Sequence, residues 1–189
     1  MPEKITCHLI AGFLGAGKTH FIQQLASYKP AHERWVILVN EVGQQQYAEA
    51  SLKAQNIAVK TVLGGCLCCT AGLPFRVALN EMIKEHQPHR IFIEPAGAGH
   101  LDNIKTLLQG EFYQPLIHIA TIQCLLNTKH LLNHSLREHE HYLRLISQAD
   151  NLLIYGHDEV TRIAQELTST YAKPMTFLND QQGDLSVLS

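Results

Sequence analysis

Residues 12–19 read Gly-Phe-Leu-Gly-Ala-Gly-Lys-Thr and satisfy the pattern G-x-x-x-x-G-K-S/T at every fixed position. No other stretch restricts the fold as tightly. The pattern works where a strand feeds a glycine turn that opens a helix, and both flanks comply. Ile5–Ala11 is an apolar run of strand length, and Phe21, Ile22 and Leu25 recur at helical spacing. There, backbone N–H groups converge at the positive end of a helix dipole and make an anion site. Gly12, Gly15, Ala16, Gly17, Lys18, Thr19 and His20 are the expected residues around a nucleoside triphosphate. Lys18 would reach its β- and γ-phosphates, and the Thr19 hydroxyl would ligate Mg²⁺. The competing reading is a glycine-rich turn with an incidental lysine; motif and context together weigh against it.

Apolar runs and helical patterns alternate along the rest of the chain. Strands are expected at Ile5–Ala11, Trp35–Asn40, Ile57–Val62, Arg90–Glu94, Ile117–Gln123, Leu152–Tyr155 and Met175–Leu178. Helices are expected at Lys18–Tyr28, Leu73–His86, His100–Leu108, Thr128–Gln148 and Asp158–Tyr171. Alternation of this kind predicts an α/β fold of the P-loop NTPase type, with a mainly parallel sheet covered by helices on both faces. Its ligands belong at the carboxyl ends of the strands. With 189 residues, one nucleotide-binding domain over residues 1–180 and a polar tail over 181–189 are expected. The formal net charge of −2 argues against a nucleic-acid partner. No apolar run is long enough for a bilayer, and Met1-Pro2-Glu3-Lys4 lacks a signal-peptide layout, so a cytoplasmic location is the expectation.

Five cysteines are no disulfide framework, and three of them fall within four residues: Cys66, Cys68 and Cys69. They follow Gly64-Gly65 directly after the third expected strand, so one short loop presents three thiolates. Soft thiolates suit Zn²⁺ and Cu(I), and they also accept Co²⁺ or Ni²⁺. Buried structural cysteines are the alternative. Cys7 and Cys124, inside or at the end of strands, read as small core residues.

Taken together, the two motifs carry a resemblance. The chain is similar to the CobW-like proteins, a branch of the metallochaperone GTPases that includes the HypB and UreG types. It resembles them at Gly12–Thr19, at Asn40–Gly43 (N-E-x-G), at Gly64–Cys69 (GGCLCC) and at Ile91–Gly97, an apolar strand ending in Glu near Gly. The resemblance implies that Glu94 is the Walker B carboxylate near Mg²⁺ and that the Gly97 N–H approaches the γ-phosphate. It places Asn40 and Glu41 in the first switch loop, with Glu41 near the metal or magnesium region. Lys18, Glu41 and Glu94 are thus the candidate catalytic residues, and Cys66, Cys68 and Cys69 would hold the transferred metal. Family members usually carry a further C-terminal domain, which is not in this sequence. The resemblance implies a GTP-driven chaperone for zinc, or alternatively cobalt or nickel, that delivers the ion to an unidentified recipient protein. A homodimer is left open.

The chain also departs from the family pattern. Where N-K-x-D normally reads guanine, it has Tyr155-Gly156-His157-Asp158, leaving Asp158 to accept hydrogen bonds from the base. A weak preference for GTP over ATP is therefore expected. The second switch, normally E-T-S/T-G, reads Glu94-Pro95-Ala96-Gly97 and has lost its hydroxyls. The first switch normally ends in an Asp; Gln44-Gln45-Gln46-Tyr47-Ala48 offers no carboxylate. Slow hydrolysis follows, and the alternative function is a binding module that hardly hydrolyses. Finally, twelve histidines include His130 and His134, which an unbroken helix would place one turn apart as a metal chelate. The plainer expectation is a polar helix face.

Overall fold

Each apolar run bounded by turn residues folds as a strand, and most are followed by a helix that carries the chain back across the sheet. The structure is a computed structural model describing residues 3–40, 47, 49–62, 72–155, 161–178 and 188; at 40, 49 and 50 only the backbone is described. In chain order the elements are β1 (Ile5–Gly12), α1 (Lys18–Ala26), β2 (Trp35–Asn40), α2 (Glu49–Ala54), β3 (Ile57–Thr61), α3 (Leu73–His86), β4 (Arg90–Pro95) and α4 (Ala98–Gln109). Then follow β5 (Ile117–Ile119), β6 (Gln123–Asn127), α5 (Thr128–Leu132), α6 (His134–Arg137), α7 (Glu140–Gln148), β7 (Asn151–Tyr155), α8 (Thr161–Tyr171) and β8 (Met175–Leu178).

The strands form one sheet in the order β3-β2-β4-β1-β6-β7-β8, with β5 also paired to β1. Every strand pairing among the described residues is parallel. Period-two alternation divides the core. Cys7, Leu9, Val36, Leu38, Ile91 and Ile93 face Phe75, Leu79, Leu101 and Ile104 of α3 and α4. Ile10, Ile37, Phe92 and Leu125 face Phe21, Ile22 and Leu25 of α1 and Leu52 of α2. Helices thus cover both faces, as the alternation predicted.

Two expected elements are broken. The strand over Ile117–Gln123 is two pieces: its ladder to β1 ends at Ile119, with the Ala120 N–H still donating to the Cys7 carbonyl at 2.8 Å, and resumes at Gln123. β5 pairs with Ile5–Cys7 and β6 with Ile10–Gly12. Between them the Ile122 N–H donates to the Asp150 carboxylate at 2.7 Å, and the Asp150 N–H returns to the Ile122 carbonyl at 2.8 Å. The helix over Thr128–Gln148 is three short helices. Asn133 accepts from the Leu136 N–H at 3.0 Å and His139 from the His141 N–H at 3.3 Å, so each caps a new start. α2 was not expected from its sequence. In the polar tail Leu188 is 5% exposed, and its carbonyl accepts from the Thr121 hydroxyl at 3.0 Å.

Candidate functional site

The turn between β1 and α1 is built on glycine where no side chain fits. At Gly12 (φ 152°) a Cβ would lie 2.8 Å from the Leu125 carbonyl oxygen. Gly17 (φ 97°) is the N-cap of α1, and a Cβ there would press on the Tyr155 ring at 3.4 Å. Lys18 and Thr19, in the first turn of α1, are buried. The Lys18 ammonium lies across the loop, donating to the carbonyls of Gly12 at 3.3 Å and Phe13 at 3.4 Å. Asn127, at the end of β6, donates its amide to the Gly15 carbonyl at 2.8 Å while its oxygen caps α5.

Glu94 is the penultimate residue of β4, beside this turn, and is 1% exposed. The Thr19 hydroxyl lies 3.2 Å from both its carboxylate oxygens, and the Lys18 ammonium is 3.9 Å away. A further donor comes from Tyr47, just before α2, whose hydroxyl donates to Glu94 Oε2 at 2.6 Å. A buried carboxylate needs such partners. A hydroxyl and a carboxylate are hard oxygen donors, so Thr19 and Glu94 fit Mg²⁺. Gly97 begins α4, and a Cβ there would meet nothing within 4 Å. It borders a cavity of about 400 Å³ together with Gly12, Phe13, Leu14 and His100.

On the other side of the loop, Tyr155 donates to the Gln24 side chain at 2.7 Å, and its ring centre lies 6.1 Å from that of His20. Tyr155 therefore packs on α1 rather than standing free above it. Asp158 lies outside the described residues, as do Glu41, Cys66, Cys68 and Cys69. The described backbone before the cysteines ends at Val62, which donates to the Val39 carbonyl at 2.8 Å, and after them resumes at Gly72 before α3. Cys7 and Cys124 are buried in the core as expected, and burial pushes both thiols up, Cys124 to about 12.

The single helix that would put His130 and His134 one turn apart is not formed. His130 and His134 sit on different short helices, separated by the restart at Asn133. His134 is 73% exposed and pairs with Glu138 at 3.4 Å. His130 is half-buried against the Phe13 ring, 5.9 Å between centres, and burial holds its imidazole below the usual range. Among the described residues no group of three or more His, Cys, Asp or Glu is placed to hold a metal ion. Also among them, no helix is long and apolar enough to cross a membrane.

Tyr47 and Asn127 were missed in the sequence. An Asn that ends an apolar strand and opens a helix is a capping signal that could have revealed Asn127; nothing in Gln44–Ala48 marks Tyr47.

Known proteins give the same architecture a family context. The family model for CobW/HypB/UreG, nucleotide-binding domain, matches residues 6–179. The zinc chaperone YeiR of Escherichia coli is 36% identical over 154 residues, covering 82% of this chain and 47% of YeiR. The chain thus spans about half the length of that relative. Zn(II)-bound YjiA GTPase from E. coli superposes with a TM-score of 0.62 at 18% identity, over 98% of this chain and 61% of that one. HypB from Helicobacter pylori in complex with nickel gives 0.63 at 14% identity, over 96% and 81%. At these identities the two structures speak to the fold, a parallel P-loop sheet.

Proposed function

We propose, proceeding from the fact that this chain belongs to the CobW/HypB/UreG nucleotide-binding family, that it binds GTP with Mg²⁺ and uses the nucleotide state to control a bound metal ion. The observation that carries this reading is the buried cluster of Lys18, Thr19 and Glu94 at the mouth of the glycine turn. Lys18 neutralises the β- and γ-phosphates, and Thr19 and Glu94 hold Mg²⁺. When bound, Mg²⁺ offsets charge on the phosphate oxygens. The Gly97 N–H opens α4 where the γ-phosphate would lie, with Glu41 and Glu94 serving hydrolysis. Gly15, Ala16, Gly17 and His20 line the rest of the nucleotide, and recognition of the base is assigned to Asp158.

The cargo is a metal ion, zinc first and cobalt or nickel second, held by Cys66, Cys68 and Cys69. Support comes from the C-x-C-C segment and from relatives that are zinc chaperones. Topology supports a coupling. Val39 is in register with Thr61 on one side and Glu94 on the other. The end of β3, after which the cysteines follow in sequence, therefore lies two strands from Glu94, about 10 Å at ordinary strand spacing. Nucleotide-dependent ordering at this edge would change metal affinity and hand the ion to a recipient protein in the cytoplasm.

Single-turnover hydrolysis of GTP and ATP, with and without Zn²⁺, tests the reading. GTP turnover that responds to Zn²⁺ is expected. Nucleotide binding without turnover would instead favour a binding module, and absence of binding would overturn the assignment.

A further inference from the structure

Within the Mg²⁺ site just proposed, Glu94 has a partner that neither motif supplies. Tyr47 is 7% exposed and stands outside both the phosphate loop and β4. Its hydroxyl reaches Glu94 Oε2 at 2.6 Å, the shortest of the contacts described on this carboxylate. The Thr19 hydroxyl has one proton and lies 3.2 Å from both oxygens, so it does not choose between them. Lys18, at 3.9 Å, acts on Oε1 through charge rather than through a hydrogen bond. Among these three contacts, the Tyr47 bond is the one that ties one named oxygen to one direction.

We propose that Tyr47 is a positioning residue for the Mg²⁺ site: its O–H engages Glu94 Oε2 and turns the carboxylate toward Thr19 before the ion arrives. The segment Gln44–Ala48 carries no carboxylate of its own, and Tyr47 gives it a different link to the site, a donor on Glu94 instead of an acidic group. Two consequences follow. Mg²⁺ meets an oriented pair rather than a carboxylate free to rotate, which lowers the cost of assembling the site. Lys18 is also spared from being the main compensation for a buried carboxylate and stays near the loop carbonyls of Gly12 and Phe13, where phosphate would displace them.

Tyr47→Phe tests this, because it keeps the ring that fills the core and removes the O–H alone. The inference rests on the phosphate-loop reading, so a fluorescent non-hydrolysable GTP analogue is bound first without Mg²⁺ and then titrated with it. In Tyr47→Phe the Mg²⁺ concentration for half-maximal tightening should rise about tenfold, the loss expected for a hydrogen bond to a charged group. Mg²⁺-free affinity for the analogue should stay within about twofold of wild type, inside the spread of neutral surface changes. In a Glu94→Gln background the same Tyr47→Phe change should add little, since the group it orients has lost its charge. An unchanged Mg²⁺ midpoint overturns the proposal. So does an equal loss with and without Mg²⁺, or a full additive loss in the Glu94→Gln background, because each marks a purely structural tyrosine. Wild-type protein that binds no analogue at any Mg²⁺ concentration would instead overturn the nucleotide reading itself, and this inference with it.

Discussion

Lys18 illustrates how much one side chain can carry. It is buried, lies over the carbonyls of Gly12 and Phe13, and stands 3.9 Å from Glu94. Lys18→Ala removes the cation meant for the phosphates, and triphosphate affinity should fall at least tenfold, as for loss of a charge-assisted contact. Isothermal titration with a GTP analogue reads this; unchanged affinity would dismiss the phosphate loop. His8 makes a different residue-scale prediction, far from the nucleotide. It is buried on β1, stacked on Phe92 at 5.0 Å, with Arg90 Nη1 3.3 Å from Nε2. Burial first, then the Arg90 charge and a smaller push from His118, lower its pKa to about 4, against the opposing charge of Glu33. An unfolded histidine titrates near 6.5, so the unfolded chain binds the proton first. The contribution of His8 is fully present above about pH 6.5 and is lost as pH falls toward 4, by up to about 1.4 kcal/mol per pH unit. Urea melts between pH 7 and 4.5 should therefore show a shallower decline in His8→Phe, and parallel profiles would refute the assignment. The residues at these positions differ in legibility. Lys18 and Thr19 announce themselves through a local motif. The burial of His8 follows only from Arg90 and Phe92 on a strand more than eighty residues away.

At the scale of elements, strands and long amphipathic helices were readable because each carries its own period. β2, α3 and β8 have the expected bounds, Trp35–Asn40, Leu73–His86 and Met175–Leu178. The failures lie where a polar side chain redirects backbone hydrogen bonds, an event that apolar spacing does not register. Asn133 and His139 cut one expected helix into three, and Asp150 diverts Ile122 between β5 and β6. The first cut bears on a functional question, since it puts His130 and His134 on different helices and removes the shared face on which the chelate was expected. The second brings β6 alongside Ile10–Gly12 and carries Asn127 to the Gly15 carbonyl. That makes Asn127 a brace with two tasks, holding the phosphate loop and capping α5. Asn127→Ala should cost about 1 kcal/mol of stability from the cap and should also weaken GTP-analogue binding through the released loop. Asn127→Asp keeps the cap acceptor but cannot donate to Gly15. It should recover most of the stability without recovering the affinity. Equal recovery of both would show that the amide has no separate part in the loop.

For the whole molecule, a parallel sheet covered by helices on both faces follows from alternating strands and helices, but the relation between its two expected sites does not. It depends on β2 lying between β3 and β4, a neighbourhood set by long-range pairing rather than by any local pattern. That order brings the end of β3, after which the C-x-C-C motif follows in sequence, and Glu94 to one carboxyl edge, with Val39 in register with both strands. Tyr47, placed just before α2, reaches Glu94 from the connection between β2 and β3. The same connection therefore leads from the proposed Mg²⁺ site into β3, the strand that precedes the cysteines in sequence. If the edge ordered by nucleotide binds metal with a different free energy, linkage requires the metal to change nucleotide affinity by the same factor. A coupling of 1–3 kcal/mol, roughly 5–150-fold, is the usual range for such pairs. Competition titrations of Zn²⁺ against a chromophoric chelator, with and without the non-hydrolysable GTP analogue, should differ by a factor in that range. The reverse titration of the analogue with and without Zn²⁺ should return the same factor. A Cys68→Ser/Cys69→Ser variant should keep its analogue affinity in the absence of Zn²⁺ and lose the response to it. Identical Zn²⁺ affinities in the two nucleotide states would leave two independent sites on one sheet edge, and delivery of the metal could not then be driven by the nucleotide.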